Sequence, residues 1–225
     1  MAPPRCYPAA MELTAESPLQ LGHLILDLGE SGSRHARDSG EDSVVPLADA
    51  AELMPTWTQS GALLAAQAMA PAAALPMTTR HRMSFLGMGP GSALAAYIAT
   101  CLEAAYVEVV LHPTEIEVFD HLVARRQSPT EVRKLKRIED AVDGAFHHMV
   151  AMGCDGIVPE SMANAAPLVR RMRPEGQLCL YGLPAAKLND VFDRLAKKGL
   201  ALRAMGVRGE LAFLSGSLER QNQFG

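Results

Sequence analysis

Residues 84–104 read SFLGMGPGSALAAYIATCLEA, a short apolar run, three glycines at alternate positions and an alanine-rich run. The first run predicts a β-strand over Met83–Leu86. The last predicts a helix over Ser92–Ala104, because its large apolar residues recur every four positions. A strand that turns directly into a helix needs residues without a Cβ atom, and the helix N-terminus presents unpaired N–H donors. The stretch therefore predicts a strand, glycine loop and helix that form either a ligand cradle or only a tight turn.

Apolar runs and helical patterns alternate through the rest of the chain. Further strands are expected over residues 107–111, 154–158, 177–181 and 200–205, with a short strand at 210–214. Further helices are expected over residues 114–126, from Ser128-Pro129 through Met152, and over 165–172 and 187–198. This alternation predicts an α/β fold, a Rossmann-like parallel sheet with helices on both faces. In such sheets a ligand binds beyond the carboxyl ends of the strands, where the glycine loop is expected.

The same patterns divide the chain into four parts. Residues 1–45 form a short irregular segment, in which Leu21–Leu28 could be a strand or a short helix. Residues 46–80 form a helical lead-in with Ser60 as a helix cap, and residues 81–206 form the Rossmann-like nucleotide-binding domain. Residues 207–225 form a tail, whose strand is expected at the sheet edge, where it could pair two copies of the chain.

Composition narrows the functional classes. Hydrophobic residues make up 48% of the chain, aromatic residues 5%, and the net charge is −4, which argues against a nucleic-acid surface. The four cysteines form no C-x-x-C pair, so buried reduced thiols and no metal site are expected.

The pair His147-His148 is expected in a helix, where the two rings face different directions. No apolar run reaches the ~18 residues of a membrane span, and the N-terminus lacks a signal-peptide core, so a cytoplasmic location is expected.

If the glycine loop holds a cofactor, each of its residues has an expected role. Gly87 would make the turn and Gly89 would let the backbone approach the ligand closely. Gly91 or Ser92 would let the helix pack on the strand or add a hydroxyl donor.

The end of the second strand bears on the choice of cofactor. His112 stands where an acidic residue would bind a ribose hydroxyl of a dinucleotide. A histidine does not repel a phosphate, so NADP is slightly favoured over NAD. Arg125 and Arg126 lie one helix further on and could reach a 2′-phosphate.

The order of segments from about residue 46 to 206 resembles the cofactor half of the medium-chain dehydrogenase/reductase superfamily. The matching segments are VPLADAAEL, TQSGALLAAQAM, GMGPGS, GCDGIV and RRMRPEGQLCLYGL. The resemblance implies an NAD(P)-dependent oxidoreductase of the alcohol dehydrogenase type. Its cofactor-binding residues would be Gly87, Gly89, Pro90, Gly91 and Ser92, with Val158-Pro159 and Gly182-Leu183 near the nicotinamide. The family's zinc-binding stretch and full catalytic domain are not recognisable, so no catalytic residue or zinc ligand carries over.

Two alternatives stay open. The loop also resembles the G-x-G-x-G of class I S-adenosylmethionine (SAM) dependent methyltransferases, and RPEGQLCLYG resembles a strand of that family. Phe85 and His112 stand where those enzymes carry acidic residues, which ranks this reading second. The other alternative is a non-enzymatic Rossmann-like scaffold. The expected partner is a small-molecule substrate, with no nucleic acid and no membrane. A homodimer, or a partner chain that supplies a catalytic domain, is left open.

Overall fold

The computed structural model describes residues 19–21, 24–27, 43–46, 59–89, 91–126, 128–152 and 165–219. Several sequence-based expectations fall outside these ranges, namely those for Cys6, Pro90, Cys154, Val158-Pro159 and the strand at 154–158. The boundaries proposed for the four parts of the chain stay predictions.

A small sheet precedes the main one. Its strands are β1 (Leu19–Leu21), β2 (Leu24–Asp27) and β3 (Ser43–Pro46). Strand β1 is antiparallel to β2, and β2 is parallel to β3. The expected segment at 21–28 is therefore extended where it is described, not helical.

The main sheet has seven strands. They are β4 (Ser84–Met88), β5 (Tyr106–Val110), β6 (Glu131–Leu135), β7 (Phe146–Met152), β8 (Met172–Pro184), β9 (Leu200–Arg208) and β10 (Leu211–Leu218). Their spatial order is β6-β5-β4-β7-β8-β10-β9. The first five strands of this order are parallel, and β10 is antiparallel to both of its neighbours.

Helices cover both faces of this sheet. They are α1 (Gln59–Ala73), α2 (Met77–Arg80), α3 (Ser92–Cys101), α4 (Ile116–Arg126), α5 (Ala165–Arg171) and α6 (Leu188–Ala196). Alternate strand residues face opposite sides. Phe85 packs with α1, α3 and α4, whereas its neighbour Leu86 packs with α5 and α6. The predicted α/β, Rossmann-like class with helices on both faces is confirmed, with β10 as an antiparallel addition.

The helix predicted from Ser128-Pro129 through Met152 is wrong. This segment forms β6, a short 3-10 turn at Ile138–Asp140, and β7. Strand β6 lies at the sheet edge, where its charged residues face solvent, and β7 lies at the centre. The pair His147-His148 is on a strand, so its two rings point to opposite faces of the sheet.

The tail strand is also placed differently from the expectation. Strand β10 is hydrogen-bonded to β8 on one side and to β9 on the other, so it is an interior strand. The described edge strands of the main sheet are β6 and β9. Pairing of two copies through 210–214 therefore loses its structural basis.

One further local expectation changes. Ser60 lies inside α1, which begins at Gln59, so it does not precede the helix as a cap. Within the described ranges, no helix is both long and apolar enough to cross a bilayer.

Candidate functional site

The carboxyl ends of β4, β5, β7 and β8 lie level at one edge of the sheet. Met88 of β4 pairs with Val110 of β5 and with Ala151 of β7, and Ala151 pairs with Leu180 of β8. The residues that follow β4 and β5 in the chain therefore meet at this edge. We call it the carboxyl edge.

Gly89 and Gly91 make the turn from β4 into α3. Both have positive φ angles, 84° for Gly89 and 85° for Gly91, which residues with a side chain adopt only at a cost. Gly91 is the cap residue of α3, and no side chain caps this helix in the described part of the chain. The Ser92 N–H donates to the Gly89 carbonyl at 3.0 Å, which closes the turn.

Gly87 has a different role from the one expected. It lies inside β4, and a Cβ atom there would come within 3.0 Å of the Phe85 ring and 3.4 Å of the Ser92 carbonyl oxygen. It lets α3 pack against the strand, whereas Gly89 and Gly91 bend the chain.

Ser92 begins α3 and is fully buried. Its hydroxyl has no hydrogen-bond partner among the described residues. A buried hydroxyl usually has a partner, because an unmet one costs about 1–3 kcal/mol.

Glu115 reaches the glycine loop from the end of β5. After β5 the chain forms a 3-10 turn over Pro113–Glu115 and then enters α4. The Glu115 side chain is 4% exposed, and its Oε1 atom accepts a hydrogen bond from the Gly91 N–H at 2.8 Å. One backbone donor of the loop is thus held by the protein's own carboxyl group.

His112 is occupied locally. It caps the 3-10 turn: its Nδ1 accepts the Thr114 N–H at 3.4 Å and lies 2.8 Å from the Thr114 hydroxyl. The helix expected to begin at residue 114 is therefore preceded by a 3-10 turn that His112 caps, and α4 begins at Ile116. The acidic group that sequence reasoning sought at position 112 lies three residues later, at Glu115.

The remaining predicted residues divide between this edge and other places. Gly182 and Leu183 lie near the carboxyl end of β8, which continues to Pro184 and does not stop at Gly182. Gly182 has a φ of 78°, and Leu183 is buried. Arg126, a candidate for a 2′-phosphate, points to the other end of α3, where it donates to the Cys101 carbonyl at 3.5 Å.

Two expectations concern cysteines and metal. Cys101 and Cys179 are free and buried, as expected. Burial raises the pKa of Cys101 to about 11 and that of Cys179 to about 12. In the described ranges no group of three or more histidine, cysteine, aspartate or glutamate side chains could hold a metal ion.

No protein-family model matches the chain, and no curated protein matches it in sequence. Solved structures do match. A ribosomal protein L11 methylase from Lactobacillus delbrueckii subsp. bulgaricus has a TM-score of 0.63 at 17% identity, covering 89% of this chain and 96% of that one. A SAM-dependent methyltransferase from Aquifex aeolicus has a TM-score of 0.53 at 14% identity, covering 75% of this chain and 97% of that one. The [4+2]-cyclase SpnF has a TM-score of 0.55 at 10% identity, covering 72% and 82%.

These likenesses correct the resemblance drawn from sequence. The three structures named above are two methyltransferases and a cyclase, and none of them is a medium-chain dehydrogenase. The identification as an NAD(P)-dependent, alcohol dehydrogenase-like oxidoreductase is wrong, and so is NADP or NAD as the expected cofactor. Of the motifs that carried that resemblance, GMGPGS leads from β4 into α3 and RRMRPEGQLCLYGL leads from α5 through β8. Many Rossmann-like sheets share such elements. What the comparisons show is the fold, and the chemistry has to be argued from the site.

Proposed function

We propose that the chain is a SAM-dependent methyltransferase whose cofactor lies at the carboxyl edge, between the glycine loop and the Pro113–Glu115 turn. The observation that carries the proposal is the buried Glu115 carboxyl group bonded to the Gly91 N–H at 2.8 Å. The methyltransferases with the same fold support it.

Glu115 discriminates between the two cofactor classes. A dinucleotide places its pyrophosphate at the helix N-terminus that follows the first strand. Here a carboxylate holds the Gly91 amide, and a like charge in a poorly solvated site is strongly unfavourable. SAM has no phosphate. It presents a sulfonium cation, an ammonium group, ribose hydroxyls and a single carboxylate, and the Glu115 carboxylate can attract the two cations or accept hydrogen bonds from the ammonium group and the hydroxyls.

The loop fits an adenosyl cofactor in one further respect. Gly89 and Gly91, whose positive φ angles require glycine, carry no side chain, so the backbone of the loop can approach a ligand closely. When bound, SAM supplies a methyl group on a sulfonium centre for transfer to a nucleophile. The chain would bind and orient it through the loop and Glu115.

We propose a small molecule as the methyl acceptor and a cytoplasmic location, as the sequence led us to expect. The two buried free thiols suit a reducing compartment. The structure of the [4+2]-cyclase SpnF is similar to this one, so the fold by itself does not imply methyl transfer. Binding of the cofactor should therefore be tested before methyl transfer.

The test is calorimetric titration of the full chain with S-adenosylhomocysteine and, separately, with NADPH. S-adenosylhomocysteine should bind, and NADPH should give no heat of binding. The Glu115→Ala variant should lose about 10- to 100-fold in affinity, the usual cost of a lost hydrogen bond to a charged group. Glu117→Gln is the matched control, because this exposed acidic residue lies two positions away. Its affinity should equal that of the wild type.

Two results would refute the proposal. One is binding of NADPH in preference to S-adenosylhomocysteine. The other is unchanged affinity for S-adenosylhomocysteine in both Glu115→Ala and Gly89→Val, with circular dichroism showing that both variants are folded. If neither ligand binds the wild type, the scaffold alternative is the better account.

A further inference from the structure

A polar cavity lies at the edge of the main sheet opposite the carboxyl edge. It has a volume of about 400 Å³ and is lined by Thr78, Thr79, Arg82, His147 and Arg173. Thr78 and Thr79 belong to α2, Arg82 precedes β4, and His147 and Arg173 lie at the amino-terminal ends of β7 and β8. We call it the basic cavity. It shares no lining residue with the carboxyl edge.

Every side chain that lines the basic cavity can donate a hydrogen bond. The two arginines are permanent cations with several N–H groups each, and the two threonines carry hydroxyls. Within the described ranges, no ion pair joins Arg82 or Arg173 to a carboxylate. Glu103, which lies beside this region, is already paired with His81 at 2.8 Å. The positive charge of the cavity is therefore not compensated by the described part of the chain.

His147 and Arg173 face each other as two donors. The Nδ1 atom of His147 accepts the Ser84 N–H at 3.1 Å, so in the neutral ring the proton lies on Nε2. That Nε2 atom is 2.6 Å from a guanidinium nitrogen of Arg173. Two donors cannot satisfy each other, and partial burial together with the Arg173 charge lowers the pKa of His147. An anionic acceptor beside them would take a hydrogen bond from each.

We propose that the basic cavity binds a phosphate group, either free or carried on a small molecule. Guanidinium groups match phosphate oxygens with paired N–H donors, and the threonine hydroxyls add single donors. The volume is within the range of small-molecule sites and exceeds that of a bare phosphate. This assignment does not depend on the proposed methyltransferase function, because the two sites lie at opposite ends of the strands.

The experiment measures melting temperature and calorimetric binding of the full chain with inorganic phosphate and with ribose 5-phosphate. Sodium chloride at matched ionic strength is the reference. A ligand at ten times its Kd should raise the melting temperature by about 3–6 °C for a chain of this size. The rise should disappear in Arg82→Gln and in Arg173→Gln. It should persist in Lys136→Gln, a matched loss of one charge at an exposed residue outside the cavity.

The two ligands distinguish the source of the phosphate. Tighter binding of ribose 5-phosphate points to a phosphorylated small molecule, and equal binding points to free phosphate. The proposal is overturned if sodium chloride gives the same rise, or if both arginine variants respond like the wild type. Should either glutamine variant fail to fold, Arg82→Lys and Arg173→Lys keep the charge but lose the paired donors. They should bind phosphate several-fold more weakly, and wild-type affinity in both would also overturn the proposal.

Discussion

Acidification below about pH 6.5 should destabilise the fold through His148. This residue lies on the central strand β7 and is 2% exposed, and its Nε2 atom donates to the Ala68 carbonyl of α1 at 2.8 Å. Complete burial lowers its pKa from the ordinary value of 6.5, although hydrogen bonds to Ala68 and Gln177 oppose the shift. Protonation would place a charge between the sheet and α1.

The size of the effect follows from proton linkage. Because the folded-state pKa of His148 is lowered, the unfolded chain binds more protons at pH values between the two pKa values. The contribution of neutral His148 to the free energy of unfolding is therefore complete above about pH 6.5 and decreases as the pH falls towards the folded-state pKa. One such group contributes at most about 1.4 kcal/mol per pH unit. Between about pH 7.5 and about pH 5.5 the loss is therefore at most about 1.4 kcal/mol, which corresponds to at most about 5 °C in melting temperature.

Urea denaturation followed by circular dichroism at these two pH values measures the loss directly. The His148→Gln variant keeps a side-chain N–H donor and cannot titrate, so its unfolding free energy should fall less than that of the wild type. His147→Gln is the control, since the pKa of His147 is also lowered but its ring faces the other side of the sheet. The His147→Gln variant should still lose the part of its unfolding free energy that comes from protonation of His148. An identical pH dependence in His148→Gln and the wild type would refute the reasoning.

Two other predictions concern packing and thiol reactivity. Gly216→Ala should cost about 1–3 kcal/mol in urea denaturation, because its Cβ would lie 2.6 Å from the Ala201 carbonyl in the paired strand β9. In the Gly209→Ala control the new Cβ meets no atom within 4 Å, but the residue has a φ of +61°, so its only cost is about 1–2 kcal/mol of backbone strain. A Gly216→Ala variant as stable as the wild type would contradict the packing argument. Iodoacetamide at about pH 8 should leave Cys101 and Cys179 unmodified in the folded chain, because burial raises their pKa values to about 11 and about 12. Peptide mass spectrometry should find both alkylated after unfolding in urea, and labelling of either thiol in the folded chain would disprove their burial.

Sequence patterns predicted the β4–loop–α3 unit because each step in it is local. An apolar strand, glycines and an alanine-rich helix need no distant partner to be recognised. The segment that forms β6 and β7 was misread because its pattern depends on distant contacts. Strand β6 is charged since one of its edges is open to solvent, and His148 is buried only because Ala68, 80 positions away, accepts its hydrogen bond. Neither of these surroundings can be recognised from the local sequence alone.

For the same reason, the sequence predicts only part of the candidate site. The positive φ angles of Gly89 and Gly91 follow from a sharp turn that the sequence already required. The contact from Glu115 to Gly91 spans 24 positions and depends on the turn that starts at Pro113. Pro113, three residues after the end of β5, was the available signal. It starts a helical turn at once and brings the third residue back over the strand ends.

The electrostatics of the two sheet edges explain why the fold by itself did not name the cofactor. Dinucleotide enzymes and methyltransferases share a strand, a glycine loop and a helix, so all the backbone features at the carboxyl edge are common to both. In the proposed function, the Glu115 carboxyl group disfavours phosphate at that edge. In the proposed phosphate site at the other edge, Arg82 and Arg173 favour it. Since β4, β7 and β8 run from one edge to the other, the two proposals give the same sheet opposite charge preferences at its two ends. Each preference depends on two or three side chains that the strand pattern leaves free to vary.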